Sequence, residues 1–438
     1  MKILYIALLV GLILVSSPTK LIAQAETALP FLLIKSSPEG NGMGGISASI
    51  ITDNAMAMVA NPGQLGLNSL NNYLSSGLYT PKSLWLPPFQ NNDLTYNVGA
   101  INAGVNLKKF FSLPFPVSVG LGYSRIFLNL GTFAVTLDDP TPIATFEGHE
   151  KAENYSIAIG AEYYIKLGLG INFKSIESVL APISGLPGAT GPNSNRKGIA
   201  NPTTNDIGLI AQLPVIDVLS KIKNELFTFS PTLKPLFDVT FGYTRSNLGD
   251  ETVIYIDPAQ GDPLPRTATL GLSWKFGLVT HAASHDWEVV SFTLAREAED
   301  VLVKRFPAQI DTMGNIISNP TFQYQDGAGD IQFFKNVIMG EGNDDVTLHK
   351  GWQLNVGEIL YIRGGSVNGT GLVYLTDGFG LRLSGVFRLI ETLDRTATSS
   401  PFFQFITSHI DLRFDHASEK SDSPRNGTSY SGLNLIIK

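Results

Sequence analysis

Apolar and polar side chains alternate residue by residue over fourteen short stretches of this chain. The stretch 379–389 shows the pattern, with Phe379, Leu381, Leu383, Phe387 and Leu389 on one face and Arg382, Ser384 and Arg388 on the other. A period of two means a strand with one wet and one greasy face. The same reading predicts strands at about 72–79, 94–106, 117–127, 154–164, 167–176, 203–213, 236–246, 265–276, 286–296, 349–357, 359–366, 379–389, 404–415 and 428–437. In the cleanest, Tyr155, Ile157, Ile159, Ala161 and Tyr163 oppose Ser156, Gly160 and Glu162. Next to it, Ile165, Leu167, Leu169, Ile171 and Phe173 oppose Lys166, Gly168, Gly170, Asn172 and Lys174.

A soluble sandwich would alternate in the same way, so the connections decide. Those after odd-numbered strands are long: about 80–93, 128–153, 177–202, 247–264 and 297–348. Several after even-numbered strands are very short, near Ile165-Lys166 and at Glu358. Long loops at one end and tight turns at the other describe a bacterial membrane barrel. The connection 214–235 breaks the parity; its Val215–Phe227 stretch reads as a short amphipathic helix on the short-turn rim. Trp85, Trp274, Trp287 and Trp352 fall near strand ends or in loops, which suits an interfacial girdle or ordinary packing.

Composition narrows this to an envelope protein. Residues 1–25 pair one early lysine with an apolar run to about Val15 and an Ala23-Gln24-Ala25 site, the pattern of a cleaved signal peptide. Its removal takes away Lys2 and Lys20 and no acid, so the formal charge moves from −7 to −9. Cysteine is absent, which excludes disulfides, thiol chemistry and a lipidated cysteine. Charged residues are 16% of the chain, against roughly 25% in soluble proteins. The acidic balance argues against nucleic acid as a partner. The chain closes on Leu435-Ile-Ile-Lys438, without the terminal aromatic of many barrels, which touches a detail of insertion more than the fold.

Residues 26–70 do not alternate. Gly40, Gly42 and Gly45 match G-x-G-x-x-G, but no βαβ unit follows to make a dinucleotide site. A tight glycine turn in a small plug inside the barrel is the expectation. That divides the chain into a signal peptide (1–25), an N-terminal hatch (26–70) and a transmembrane barrel with long external loops (71–438).

Catalytic and metal chemistry find no footing, so no catalytic residue, metal or cofactor is expected. His281 and His285 have i, i+4 spacing, but in a turn and without the glutamate of H-E-x-x-H. His409 is expected on an inner strand face beside Asp411 and Arg413, where an ion-paired wall is a simpler reading than a hydrolytic triad. The acidic stretches Asp326–Asp330 and Glu341–Asp345 lack EF-hand spacing and read as solvated loops. The inward charges Glu162, Lys166, Lys174, Lys275, Arg382, Arg388, Asp411, Arg413 and Asp415 carry mixed signs, which would hold a plug rather than select ions.

Several short motifs, in order along the chain, resemble the PorV/PorQ family of FadL-like barrels. They are Phe31-Leu-Leu-Ile, the Gly42-Met43-Gly44 turn, Asn61-Pro62 followed by Leu65, and Leu264-Pro265-Arg266. Further on come Asp286-Trp-Glu-Val-Val with an acidic helical turn at 298–304, Asn355-Val-Gly-Glu-Ile-Leu-Tyr-Ile-Arg363, and Asp377-Gly-Phe-Gly-Leu381. The resemblance implies an all-β fold: a 14-stranded antiparallel transmembrane barrel with an N-terminal hatch, set in outer-membrane lipid. It also implies carriage of exported cargo proteins, by their C-terminal signal, between subunits of the type IX secretion system. Loops 297–348 and 177–202 are the expected capture surface, with no residue assigned to cargo. The alternative is a FadL-like transporter of hydrophobic small molecules, which would show greasy lumen residues above the hatch and a kinked, unpaired strand. A third reading is a purely structural barrel.

Overall fold

The computed structural model describes residues 27–89, 94–136, 141–181, 197–230, 232–250, 252–255, 261–282, 285–306, 309–310, 316–318, 321–370, 372–393 and 400–438. The expected signal peptide lies outside them, as does most of the expected capture loop 177–202. Fourteen long strands form the wall. They are β1 (Tyr73–Tyr79), β2 (Leu94–Asn106), β3 (Val117–Val135), β4 (Ala144–Glu162), β5 (Lys166–Ala181), β6 (Thr203–Pro214) and β7 (Leu233–Gly249). The second half comprises β8 (Thr267–Ala282), β9 (His285–Val301), β10 (Val346–Val356), β11 (Leu360–Gly369), β12 (Leu372–Arg382), β13 (Ile410–Lys420) and β14 (Ser429–Ile437). Each pairs antiparallel with its neighbours in sequence. The ring closes because β1 pairs on one side with β2, Leu78 opposite Gly99, and on the other with β14, Leu74 opposite Ile437. The protein is a closed 14-stranded antiparallel barrel.

Its polarity is inverted relative to a water-soluble fold. On β4 the small and polar Ser156, Ala158 and Gly160 are buried, whereas Tyr155, Ile157 and Ile159 are 53%, 44% and 53% exposed. The large side chains point outward all round the ring, from Leu121 and Leu169 to Phe276, Leu294, Ile362 and Leu435. A continuous outer apolar band of this kind belongs in a bilayer. Among the described residues no helix is long and apolar enough to cross a membrane; the strands do so.

The alternation rule misplaced three boundaries. The expected loop 128–153 is mostly strand, because β3 runs on to Val135 and β4 begins at Ala144. Above the apolar band the outer face turns charged, with His149 and Lys151 pairing with Glu177 at 3.1 and 3.4 Å. A search for greasy faces ends where the membrane ends, although the hydrogen-bond ladder continues. Second, the strand expected at 379–389 stops at Arg382 and the chain continues as a helix, α5 (Leu383–Leu393). Leu383, Val386, Phe387 and Ile390 recur at i, i+3, i+4 and i+7, so the segment satisfies the helical period as well. Third, the strand expected from 404 begins at Ile410, after α6 (Pro401–His409). The two helices pack Phe387 against Phe403, ring centroids 5.7 Å apart, across the short-turn rim. The acidic helical turn expected at 298–304 is strand: β9 continues to Val301, and Val303–Phe306 forms a small hairpin with Thr321–Tyr324.

Residues 27–72 fill the barrel. They form three short helices, α1 (Pro38–Asn41), α2 (Ala57–Ala60) and α3 (Gly63–Asn68). The fourth helix, α4 (Val215–Lys223), lies on the short-turn rim between β6 and β7. Helices of four to six residues do not hold themselves together, so the wall orders the hatch. Glycines make the fit possible. A Cβ on Gly66 of α3 would strike the Ile159 carbonyl, and one on Gly160 of β4 would strike the Gly66 carbonyl.

Candidate functional site

Among the described residues of the hatch three are charged, Lys35, Glu39 and Asp53. Each meets opposite charge on the wall. Ser37 caps α1 by accepting from the Gly40 N–H, with Pro38 opening the helix, and this turn aims Glu39 at the wall. The Glu39 carboxylate lies 3.3 Å from Arg363 on β11 and 3.6 Å from Arg382 on β12, and accepts from the Thr52 hydroxyl. Arg363, with 2% exposure, also donates to Asp415 at 2.6 Å and to Gln353 at 2.6 Å. Asp53 takes the Arg413 guanidinium on β13, one of the two bonds at 2.8 Å, and the Lys438 ammonium at 3.0 Å. Arg413 in turn holds Asp411. Lys35 pairs with Glu299 on β9. Glu39, Asp53, Asp411 and Asp415 are thus matched by Arg363, Arg382, Arg413 and Lys438. Burying charge is tolerable only in such a fully partnered set.

A second fastening uses no hatch charge. Glu297 on β9 is 1% exposed and accepts three consecutive hatch N–H groups, from Ser47 at 3.0 Å, Ala48 at 2.8 Å and Ser49 at 2.7 Å. A run of backbone N–H groups converging on one oxygen pair is an anion nest, here filled by the wall.

The expected turn residues serve the same docking. Gly44 has φ +74°, donates its N–H to Thr376 at 2.8 Å, and has no room for a Cβ beside Lys350 and Ser366. The Gly42 carbonyl accepts from the Thr376 hydroxyl at 3.2 Å, and Met43 packs with Ile46, Ile50 and Ala295. Asn61 donates to Ala48 within the hatch at 2.8 Å and to Leu209 on β6 at 3.1 Å, while Pro62 lies against Gly170 and Gly208.

The charges named from the sequence separate into groups. Arg382, Asp411, Arg413 and Asp415 come together around Glu39 and Asp53. Lys174 is buried elsewhere, 2.8 Å from Asp206 and 2.8 Å from Asn247. Lys275 pairs with Glu288 lower in the lumen. Glu162 and Lys166 oppose each other at the short-turn rim. Arg388 was expected on a strand; it sits on α5 and pairs with Glu358. His409, also expected on a strand, ends α6 and approaches the Phe405 carbonyl at 3.1 Å. Lys275, Glu288, Arg382, Arg388, Asp411 and Arg413 help line a polar chamber of about 370 Å³ below the hatch. Among the described residues no three His, Cys, Asp or Glu side chains gather as a metal site.

Sequence reasoning missed Glu39, Asp53, Glu297 and Arg363. A signal was available: the few charges of an otherwise uncharged hatch invite a search for partners on inward strand positions, and Arg363 lies between Tyr361 and Gly365 on such a face.

The first hatch residues sit in a mainly apolar zone beside the Glu419–Arg425 pair, where Glu419 accepts from Tyr430 at 2.9 Å. Leu29, Phe31 and Ile34 are buried among Tyr79, Tyr96, Tyr430, Ile126, Leu128 and Leu264. The three tyrosine rings meet edge to face with centroids 5.8–6.5 Å apart, the favoured geometry for aromatic pairs. Tyr79 donates to the Ser36 carbonyl at 2.8 Å. A void of about 40 Å³ remains between Leu32, Ile34 and Ile126 on one side and Lys35, Lys174 and Thr269 on the other.

No family model and no curated protein matches the chain. The PorV/PorQ resemblance therefore rests on its short motifs. Among solved structures the chain is similar to the Ralstonia pickettii toluene transporter TbuX, at 13% identity and TM-score 0.41, covering 93% of this chain and 98% of that one. It is also similar to the Pseudomonas putida toluene transporter TodX, at 12% identity and TM-score 0.35, covering 91% and 96%. A Pseudomonas aeruginosa FadL homologue matches at 9% identity and TM-score 0.34, covering 92% and 96%. No residue role follows from likenesses this remote.

Proposed function

We propose that this chain is an outer-membrane barrel that takes an apolar small molecule into its upper lumen and passes it inward past the hatch. The observation that carries the reading is the division of the lumen. Residues 35–54 are fastened by ion pairs and the Glu297 nest, whereas Leu29, Phe31 and Ile34 are held mainly by apolar contact in an aromatic-lined space. A ligand of similar chemistry competes for that space on equal terms, because apolar burial is non-directional. The lining mixes aromatic and aliphatic side chains with hydroxyls and the charged Lys35, Lys174, Glu419 and Arg425, so a small molecule would find apolar contact and a few polar anchors. The wall is paired all the way round, so the route runs along the barrel axis and not sideways through a gap.

The test is a titration of the purified barrel with a fluorescent naphthylamine probe, with toluene as competitor. Saturable, displaceable binding that falls at least tenfold in Ile126→Asp supports the reading. Absence of binding in a barrel whose electrophoretic shift on boiling shows it to be folded overturns it.

Carriage of exported protein remains a second reading. It is favoured by apolar side chains on the long-loop side: Phe133, Ile143, Phe306 and Ile317 are 43–66% exposed there. Secretion subunits or tail-tagged exported proteins recovered with the barrel from mild detergent would favour this reading over transport.

A further inference from the structure

The outer surface carries a second feature, away from the lumen. The π-helical turn Phe333–Met339 lies against the outside of the wall, with Val337 and Phe333 packed on Leu270, Leu272, Ala298 and Leu348 of β8, β9 and β10. One row lower, Arg296 and Lys350 face each other across β9 and β10. A Cβ on Gly340, just after the turn, would sit 3.4 Å from both Arg296 Nη1 and Lys350 Nζ, so the two cations converge on one point. Among the described residues neither has a carboxylate within 4.0 Å. Arg296 donates once, to the Ile338 carbonyl at 2.6 Å, which leaves its other N–H groups available.

The next row down is apolar. Trp274, Leu294 and Trp352 stand side by side in register. With Leu375 they line an outward groove of about 550 Å³ that also reaches Arg296 and Lys350. Phe334 and Met339 of the turn are 73% and 66% exposed above it. The feature therefore reads, from top to bottom, as an apolar anchor, a pair of like charges, and an indole-lined trough opening into the apolar band. Tryptophan, lysine and arginine mark the level at which hydrocarbon gives way to headgroups.

We propose that this groove binds one anionic, phosphate-bearing membrane lipid of the leaflet on the long-loop side. Its phosphate sits between Arg296 and Lys350, and an acyl chain lies over Trp274, Leu294 and Trp352. Two converging cations without an acidic partner select a phosphate oxyanion by charge-assisted hydrogen bonds. The trough below fits a chain that a free phosphate does not have. The site depends on the barrel lying in a bilayer and not on what crosses the lumen.

Native mass spectrometry of the full barrel in detergent, titrated with phosphatidylglycerol, tests this. One phosphatidylglycerol should be retained in preference to phosphatidylcholine. The loss in Arg296→Gln/Lys350→Gln should be about tenfold or more, and Lys350→Gln alone should weaken retention. Inorganic phosphate should compete poorly, because it gains nothing from the groove. Equal retention by the double variant, with its boiling-dependent gel shift intact, would leave Arg296 as only a cap on the turn and overturn the proposal. Equal retention of phosphatidylcholine, or binding of inorganic phosphate as strong as that of the lipid, would overturn it as well.

Discussion

The Glu297 carboxylate accepts from both the backbone N–H and the hydroxyl of Ser49, at 2.7 and 2.8 Å. One wall residue thus fixes the position of a hatch strand that has no regular structure of its own. Replacing Glu297 by Ala removes the acceptor for three buried N–H groups, each costing about 1–3 kcal/mol if left dry. Hydrogen exchange at Ser47–Ser49 should rise at least a hundredfold while the barrel keeps its boiling-dependent gel shift. Unchanged exchange would mean that water or a neighbour fills the nest at no cost.

Arg363→Met tests the ion cage. It leaves Glu39 and Asp415 buried with Arg382 as their remaining cation, a loss of about 3–5 kcal/mol in hatch docking. Proteolysis between Ser36 and Asn54 should become fast. The double variant Arg363→Met/Glu39→Gln should recover part of the protection, because one orphaned charge has gone; no recovery would argue against a direct pair.

Close approach at α3 gives a steric test. Gly160→Val places a branched side chain where the Gly66 carbonyl lies, and strand residues have little freedom to retreat. The expected result is a folded barrel with an expelled or disordered hatch and raised conductance in planar bilayers. A conductance like that of the parent would show that the hatch can shift without loss of its seal.

The charge lock also fixes a pH response. Burial opposes ionisation of Asp53, but Arg413, then Lys438 and Arg382, outweigh it and hold its carboxyl well below the usual carboxylate range. Glu39 is lowered too: burial again opposes, and Arg363 and Arg382 prevail. Groups depressed in the docked state contribute their stabilisation in full above their free values of about 4, and lose it as pH falls through the docked values. The protection owed to Asp53 and Glu39 should be constant from pH 8 to about 5 and decline only below about 4. Asp53→Asn should flatten that acid limb.

The wall was legible in the sequence wherever one face met lipid. The stretches 155–163 and 165–174 appear as β4 and β5 with the expected faces outward. Legibility failed where the environment changed while the pattern did not. Leu383–Leu393 satisfies two periods at once, and only its position beyond the apolar band makes it a helix. The expected loop at 128–153 failed for the opposite reason: its strands are wetted outside and lose the greasy signature. Arg382 and Arg413 were named because they lie on clean alternating faces. Glu39 and Asp53 were not, since a segment without periodicity gives no hint of what it touches.

Lys438 follows β14 directly and reaches across to Asp53, which Arg413 on β13 also holds. That clasp lies at the seam, since β14, which Lys438 follows, pairs with β1, which follows the hatch. One fastening of the hatch therefore belongs to the strands at the seam, while those on β9 do not. A barrel with an open seam would lack this clasp while Glu297 and Glu299 still tied the hatch to β9.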